Sequence, residues 1–141
     1  MFHTVRNGRS FIGRFEYDDD LLGALQEFSN ARGIRAGVFT LIGAVQNIRL
    51  GYYDQKKKRY TGCVDIRKKL EIASCAGSIS EKDGQIFVHA HLVCADYKGK
   101  AFGGHLMPGT KIFAAEYFIQ ELVGATLVRK KDPRTGLPLW Q

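Results

Sequence analysis

At 141 residues, 45% hydrophobic and 25% charged, the chain has the size and composition of one globular domain, 1–141, and these values exclude a disordered or fibrous protein. Lys and Arg outnumber Asp and Glu by 21 to 14, a formal charge of +7, so the surface field favours polyanions or an acidic partner without identifying one. No apolar run approaches the roughly 18 residues of a bilayer span, residues 1–15 hold no signal-like apolar core, and Cys63, Cys75 and Cys94 form no CxxC pair, which together predict a cytoplasmic protein with reduced thiols and no membrane contact.

In chain order, two short apolar-rich runs, 2–6 and 10–17, flank Asn7-Gly8-Arg9. Asn-Gly is a strong hairpin signal, so a β-hairpin is expected. Asp18, Asp19 and Asp20 then precede LLGALQEFSNARG, in which Leu21, Leu22, Leu25 and Phe28 recur at helical spacing. An aspartate cap and a terminal Gly33 predict a helix here, with the acidic triplet as capping chemistry and not a metal cluster. Residues 36–54 are rich in β-branched and aromatic side chains and read as a strand, a break near Gly43 and a second strand.

Lys56, Lys57, Lys58 and Arg59 form a basic turn, either a solvated hairpin tip or an anion- or nucleic-acid-contacting loop. Residues 69–80 read as a strand, 81–84 as a turn ending in Asp-Gly, and 85–95 as the next strand. A turn at 96–99 should lay 101–107 antiparallel beside it. Residues 110–123 fit a strand or a short helix, and their aromatic and β-branched content favours the strand. Residues 125–129 continue the sheet, and the last ten residues read as an irregular tail carrying the only tryptophan.

Three of the four histidines fall within 86–108, IFVHAHLVCADYKGKAFGGHLMP. Side chains alternate along a strand, so His89 and His91 share a face. His105 lies one hairpin away, where Gly103 and Gly104 let the backbones approach. Three imidazoles at one face suit Zn²⁺ first, or another divalent first-row metal, and leave a fourth position for water or a small anion. Such an open site is also what hydrolytic zinc centres use, since the ion lowers the pKa of bound water towards about 7. Glu71 and Glu116 lie in strand-like apolar text; each is a candidate fourth ligand, acid/base group or histidine-orienting partner, against the plain alternative of a surface ion pair. No GxSxG elbow, Walker loop or Cys-His pair occurs.

The segments KLEIASCAGSIS, DGQIFVHAHLVCAD and GKAFGGHLMPGT together resemble the plants-and-prokaryotes conserved domain, PPC, which in plants is joined to AT-hook DNA-binding segments. The likeness runs from FEYDDDLLGALQEF through IGAV to IFAAE, and its most specific part is His-x-His followed by Gly-Gly-His-Leu with Gly109 beyond. The resemblance implies an α/β (α+β) single domain, a mainly antiparallel sheet flanked by one or two helices, assembled as a homotrimer. It also implies a metal ion held by His89, His91 and His105, as in stand-alone prokaryotic members. DNA binding by plant members rests partly on the AT-hook, and this chain has no Arg-Gly-Arg-Pro core.

A trimer would account for the strand 86–95, which is apolar on both faces and so needs cover on both. The leading expectation is therefore a trimeric, metal-binding protein with a regulatory or DNA- or protein-binding role. Its basic groups would be Lys56, Lys57, Lys58, Arg59, Arg67, Lys68, Lys69, Arg129, Lys130 and Lys131. The alternative is a small metal-dependent hydrolytic enzyme acting on an anionic small molecule.

Overall fold

The computed structural model describes residues 1–141. One helix and ten strands follow the order β1 (Arg6–Phe15), α1 (Leu21–Arg32), β2 (Gly37–Val45), β3 (Ile48–Asp54), β4 (Arg59–Ile66), β5 (Leu70–Lys82), β6 (Gln85–Ala95), β7 (Ala101–Leu106), β8 (Ile112–Val123), β9 (Val128–Lys131) and β10 (Pro138–Trp140). All ten strands belong to one sheet whose main path runs β1-β8-β2-β5-β6-β7-β3-β4. Every pairing is antiparallel except β5 with β9, so the α+β, mainly antiparallel single domain expected from the sequence is the fold found. No helix is long and apolar enough to cross a membrane.

The helix forms where its signals stand. Asp20 accepts a hydrogen bond from the Gly23 amide at 2.8 Å, and Gly33 ends the element with φ +63°, the left-handed conformation a glycine adopts without penalty. Leu21, Leu25 and Ser29 recur every four residues on the buried side, and Ser29 satisfies its hydroxyl by donating to the Leu25 carbonyl. That side packs against the sheet. Phe28 meets Phe11, Phe15 and Tyr117 in an aromatic cluster, while Gln26 bonds the backbone of β6 at both Ile86 O and Val88 N. The core of 21 residues, among them Val88, Ala90, Leu92 and Cys94 of β6, lies between helix and sheet.

Three expectations need correction. Asn7-Gly8 does not turn the chain: both residues lie inside β1, at a bulge where its register against β8 slips between Asn7 and Ser10. Neither takes the positive φ that the hairpin turn requires, because pairing with β8 sets the backbone there. Gly43 likewise lies inside β2, φ +137°, next to a register shift against β5, and the break comes later, at Gln46 and Asn47. The basic turn stands where expected, at the tip between β3 and β4, and β4 is a strand with no clear sequence signal, paired with β3. The C-terminal residues are not an irregular tail: β9 and β10 form a hairpin that joins β5. The strand reading of 110–123 holds from Ile112 onward.

Candidate metal centre

Alternation places Val88, Ala90, Leu92 and Cys94 in the core and leaves Phe87, His89, His91 and Val93 on the outer face of β6. The Asp83-Gly84 turn, with φ of +52° and +77°, fixes β5 against β6 so that Ser78 pairs with His89 and Ala76 with His91. On the other side β7 returns with His105 directly opposite His91. The close approach uses the glycines. A Cβ on Gly104 would stand 3.2 Å from Gly51 O and from Leu50 Cβ, and one on Gly103 would stand 3.1 Å from Val93 Cγ2. Both therefore serve backbone packing.

The three imidazoles converge. One nitrogen from each of His89, His91 and His105 lies within 4.8 Å of the others, and the ring centroids are 4.9 to 5.7 Å apart. His105 Nδ1 is buried without any hydrogen-bond partner, a costly arrangement unless something outside the protein's own polar groups occupies that lone pair. Burial pushes the His89 imidazole down to about 4, with His105, Arg129 and His91 adding repulsion between like charges. Burial, then His91 and Arg129, also lowers His105. Neutral imidazoles at neutral pH are the form that ligates metal. The donor set, its spacing and the orphaned nitrogen thus fit one divalent ion.

The surroundings include residues that sequence reasoning did not single out. The Tyr60 ring of β4 packs against His105 with centroids 4.8 Å apart. Beyond Ser78 and Ser80 lies Arg129, which was expected among the solvent-facing basic groups but is only 8% exposed. It is held by Ser80 Oγ at 2.8 Å, Ser78 Oγ at 3.1 Å and Pro138 O at 3.0 Å. Nothing local in the sequence marks these positions, since their placement depends on pairings between distant strands.

The carboxylates go elsewhere. Glu71 is exposed on β5 opposite Ala95, five residues along the strand from the Ala76 that pairs with His91, or about 16 Å. It lines a separate cavity of about 260 Å³ with Tyr97 and Phe113. Glu116 is exposed on β8 opposite Arg14 and Ile42. The structure brings neither to the histidines. Lys56, Lys57, Lys58 and Arg59 form the exposed β3–β4 tip, where Asp54 accepts from the Lys56 and Lys57 amides and Lys58 donates to the Pro133 carbonyl. Cys75 and Cys94 are buried, their thiols pushed up to about 12 chiefly by burial.

Known proteins share the fold that carries these residues. The family model described as the Plants and Prokaryotes Conserved (PCC) domain matches residues 2–123. A metal-containing protein from Archaeoglobus fulgidus is 37% identical, with a TM-score of 0.94 over 100% of this chain and 99% of that one. A plant- and prokaryote-conserved (PPC) protein from Pyrococcus horikoshii is 34% identical, with a TM-score of 0.93 over 100% and 96% of the two chains. Among curated proteins, the bifunctional protein GlmU of a Synechococcus strain is 33% identical over 119 residues, 83% of this chain and 18% of that protein. The chain therefore spans less than a fifth of that relative.

Proposed function

The chain belongs to the Plants and Prokaryotes Conserved domain family, and on that premise we propose that it is a homotrimeric protein that binds one divalent metal ion, Zn²⁺ or another first-row ion, per subunit through His89, His91 and His105 and serves a regulatory or binding role. The observation that carries the metal reading is the convergence of one imidazole nitrogen from each of His89, His91 and His105 to within 4.8 Å of one another. The Archaeoglobus fulgidus relative is itself a metal-containing protein, which supports it. When bound, the ion supplies positive charge and Lewis acidity. The chain's own contribution is to hold three imidazoles in place, with Tyr60 walling one side.

Assembly is supported by a row of residues that crosses the outer face of the sheet. Ile12, Phe118, Thr40, Ala76, His91 and His105 are successive cross-strand partners on β1, β8, β2, β5, β6 and β7. Ile12 is 86% exposed, Phe118 44%, and their neighbours Ile42 and Val38 are 57% and 44%. An apolar sheet face of this extent needs cover. A second copy of the chain supplies it, and the histidines lie at the margin of that contact. A binding role for DNA or for an acidic protein rests on the net charge of +7 and on the exposed Lys56, Lys57, Lys58, Arg59, Arg67, Lys68 and Lys69.

Titration of metal-free protein with Co²⁺, followed by visible absorption, tests the site: one equivalent per chain is expected, lost in His105→Ala. For the DNA role, duplex binding should weaken steeply between 50 and 200 mM salt, about tenfold or more for each pair of phosphates neutralised. Salt-independent binding contradicts it. The second reading, a metal-dependent hydrolase for anionic small molecules, is favoured only by the openness of the donor set. It lacks a nearby carboxylate, and turnover surviving His89→Ala would remove it.

A further inference from the structure

Arg129 is the one buried arginine, and it takes part in none of the protein's ion pairs. A guanidinium carries five N–H donors in a planar fork. Three are used here: Nε donates to Ser80 Oγ, Nη2 to Ser78 Oγ and Nη1 to the Pro138 carbonyl. One hydrogen on each of Nη1 and Nη2 therefore lacks a protein acceptor. The rings of Phe87 and Trp140 each stand 5.4 Å from the guanidinium carbon, which favours the cation but provides no acceptor and no compensating formal charge.

The direction of the side chain gives this fork a purpose. Arg129 pairs with Lys82 on β5, and its side chain runs back along β5, reaching first Ser80 and then Ser78. Ser78 is the cross-strand partner of His89. The tip of the fork thus arrives one strand away from the first histidine of the cluster, on the same outer face. The β9–β10 hairpin that carries Arg129 and Trp140 lies beyond residues 2–123, the part that the family model matches.

We infer that Arg129, set by Ser78 and Ser80 and clamped between Phe87 and Trp140, is an oxyanion-binding residue that receives the phosphoryl or carboxylate group of a small ligand lying across the three-histidine metal site. This deepens the metal reading and rests on it. Two unused N–H donors on a rigid fork match two oxygens of one such group. The buried position removes competing water, and the adjoining ion would hold the ligand's other end. A small anionic molecule, not a nucleic acid backbone, fits a fork buried beside Trp140.

The test uses the full chain loaded with Zn²⁺, with metal content measured for every sample. Inorganic phosphate and acetate are titrated separately by calorimetry, with chloride as control. Wild-type protein is expected to bind at least one of the two oxyanions, and the tighter of them identifies the group. Arg129→Met should weaken that binding by roughly tenfold to a hundredfold, as for loss of a charge-assisted pair of hydrogen bonds, with metal content unchanged. Arg129→Lys, which keeps the charge but not the fork, should fall between. Because these variants can lose the hairpin, the second measurement needs no substitution: the Arg129 Nε–H resonance of ¹⁵N-labelled wild type should shift along the same titration curve. Full metal loading with an unmoved Arg129 resonance, or undiminished oxyanion affinity in folded Arg129→Met, overturns the inference alone. A chain that takes up no metal while the resonance still follows phosphate overturns the metal reading and leaves only the oxyanion anchor.

Discussion

Replacing Ile12 by aspartate should dissolve the assembly without harming the subunit. Ile12 is 86% exposed and lies outside the core cluster, so the subunit has little to lose from its removal. Covering an aliphatic side chain of this size contributes about 1.5–3 kcal/mol, and nearly all of it is available here, about 2 kcal/mol at each contact. That is about 30-fold in an association constant. Three symmetry-related contacts compound to about four orders of magnitude before the cost of burying a carboxylate is added. Light scattering coupled to gel filtration reads the outcome directly. Three copies of a 15.8 kDa chain give about 47 kDa, whereas Ile12→Asp should run as the single chain with an unchanged far-UV spectrum. Tyr97→Asp, equally exposed at 92% but on the β6–β7 turn, should leave the mass at its wild-type value. A wild type that runs as a monomer, or an Ile12→Asp variant that stays trimeric, would refute the assignment of this face.

Other predictions concern the subunit itself. Gly77→Ala places a Cβ 2.3 Å from both the His89 carbonyl and the Phe39 ring. Overpacking of this kind costs roughly 1–3 kcal/mol, which urea unfolding will register, and the displaced β6 should also weaken metal uptake. In metal-free protein the His89 imidazole should titrate near 4 by NMR. A folded-state pKa below the ordinary 6.5 means that the unfolded chain takes up the proton first, so stability is complete above about pH 6.5 and declines as pH falls towards 4. Glu121, which accepts from both Nε and Nη2 of Arg9, is held down at about 2. Its contribution is present above about pH 4.5 and lost as pH falls towards 2. Glu121→Gln should abolish that acid-range component in urea melts.

The histidine cluster was legible in the sequence because it depends on two local rules. Strand alternation puts His89 and His91 on one face, and a short turn returns His105 beside them. The helix was legible for the same reason, since Asp20, the Leu21 and Leu25 spacing and Gly33 act within a few residues of one another. Asn7-Gly8 misled because a local turn preference was overruled by pairing with β8, more than a hundred residues away. Arg129 is the opposite case, hidden until the parallel pairing of β9 with β5 is known. In RKKDPRTG it reads as one of several surface cations, and only the fold turns it inward. Glu71 and Glu116 were drawn towards the site by their apolar neighbours in sequence, yet each takes an exposed position on its strand. Apolar flanks alone do not say which face of a strand a carboxylate occupies.

The most direct test of the account is elemental analysis of protein purified without chelator or added metal, beside a variant with His89, His91 and His105 all replaced by alanine. The account predicts close to one first-row divalent ion per chain in the wild type and none in the folded variant. A wild type that carries no metal and acquires none from a stoichiometric supply of Zn²⁺ would contradict it.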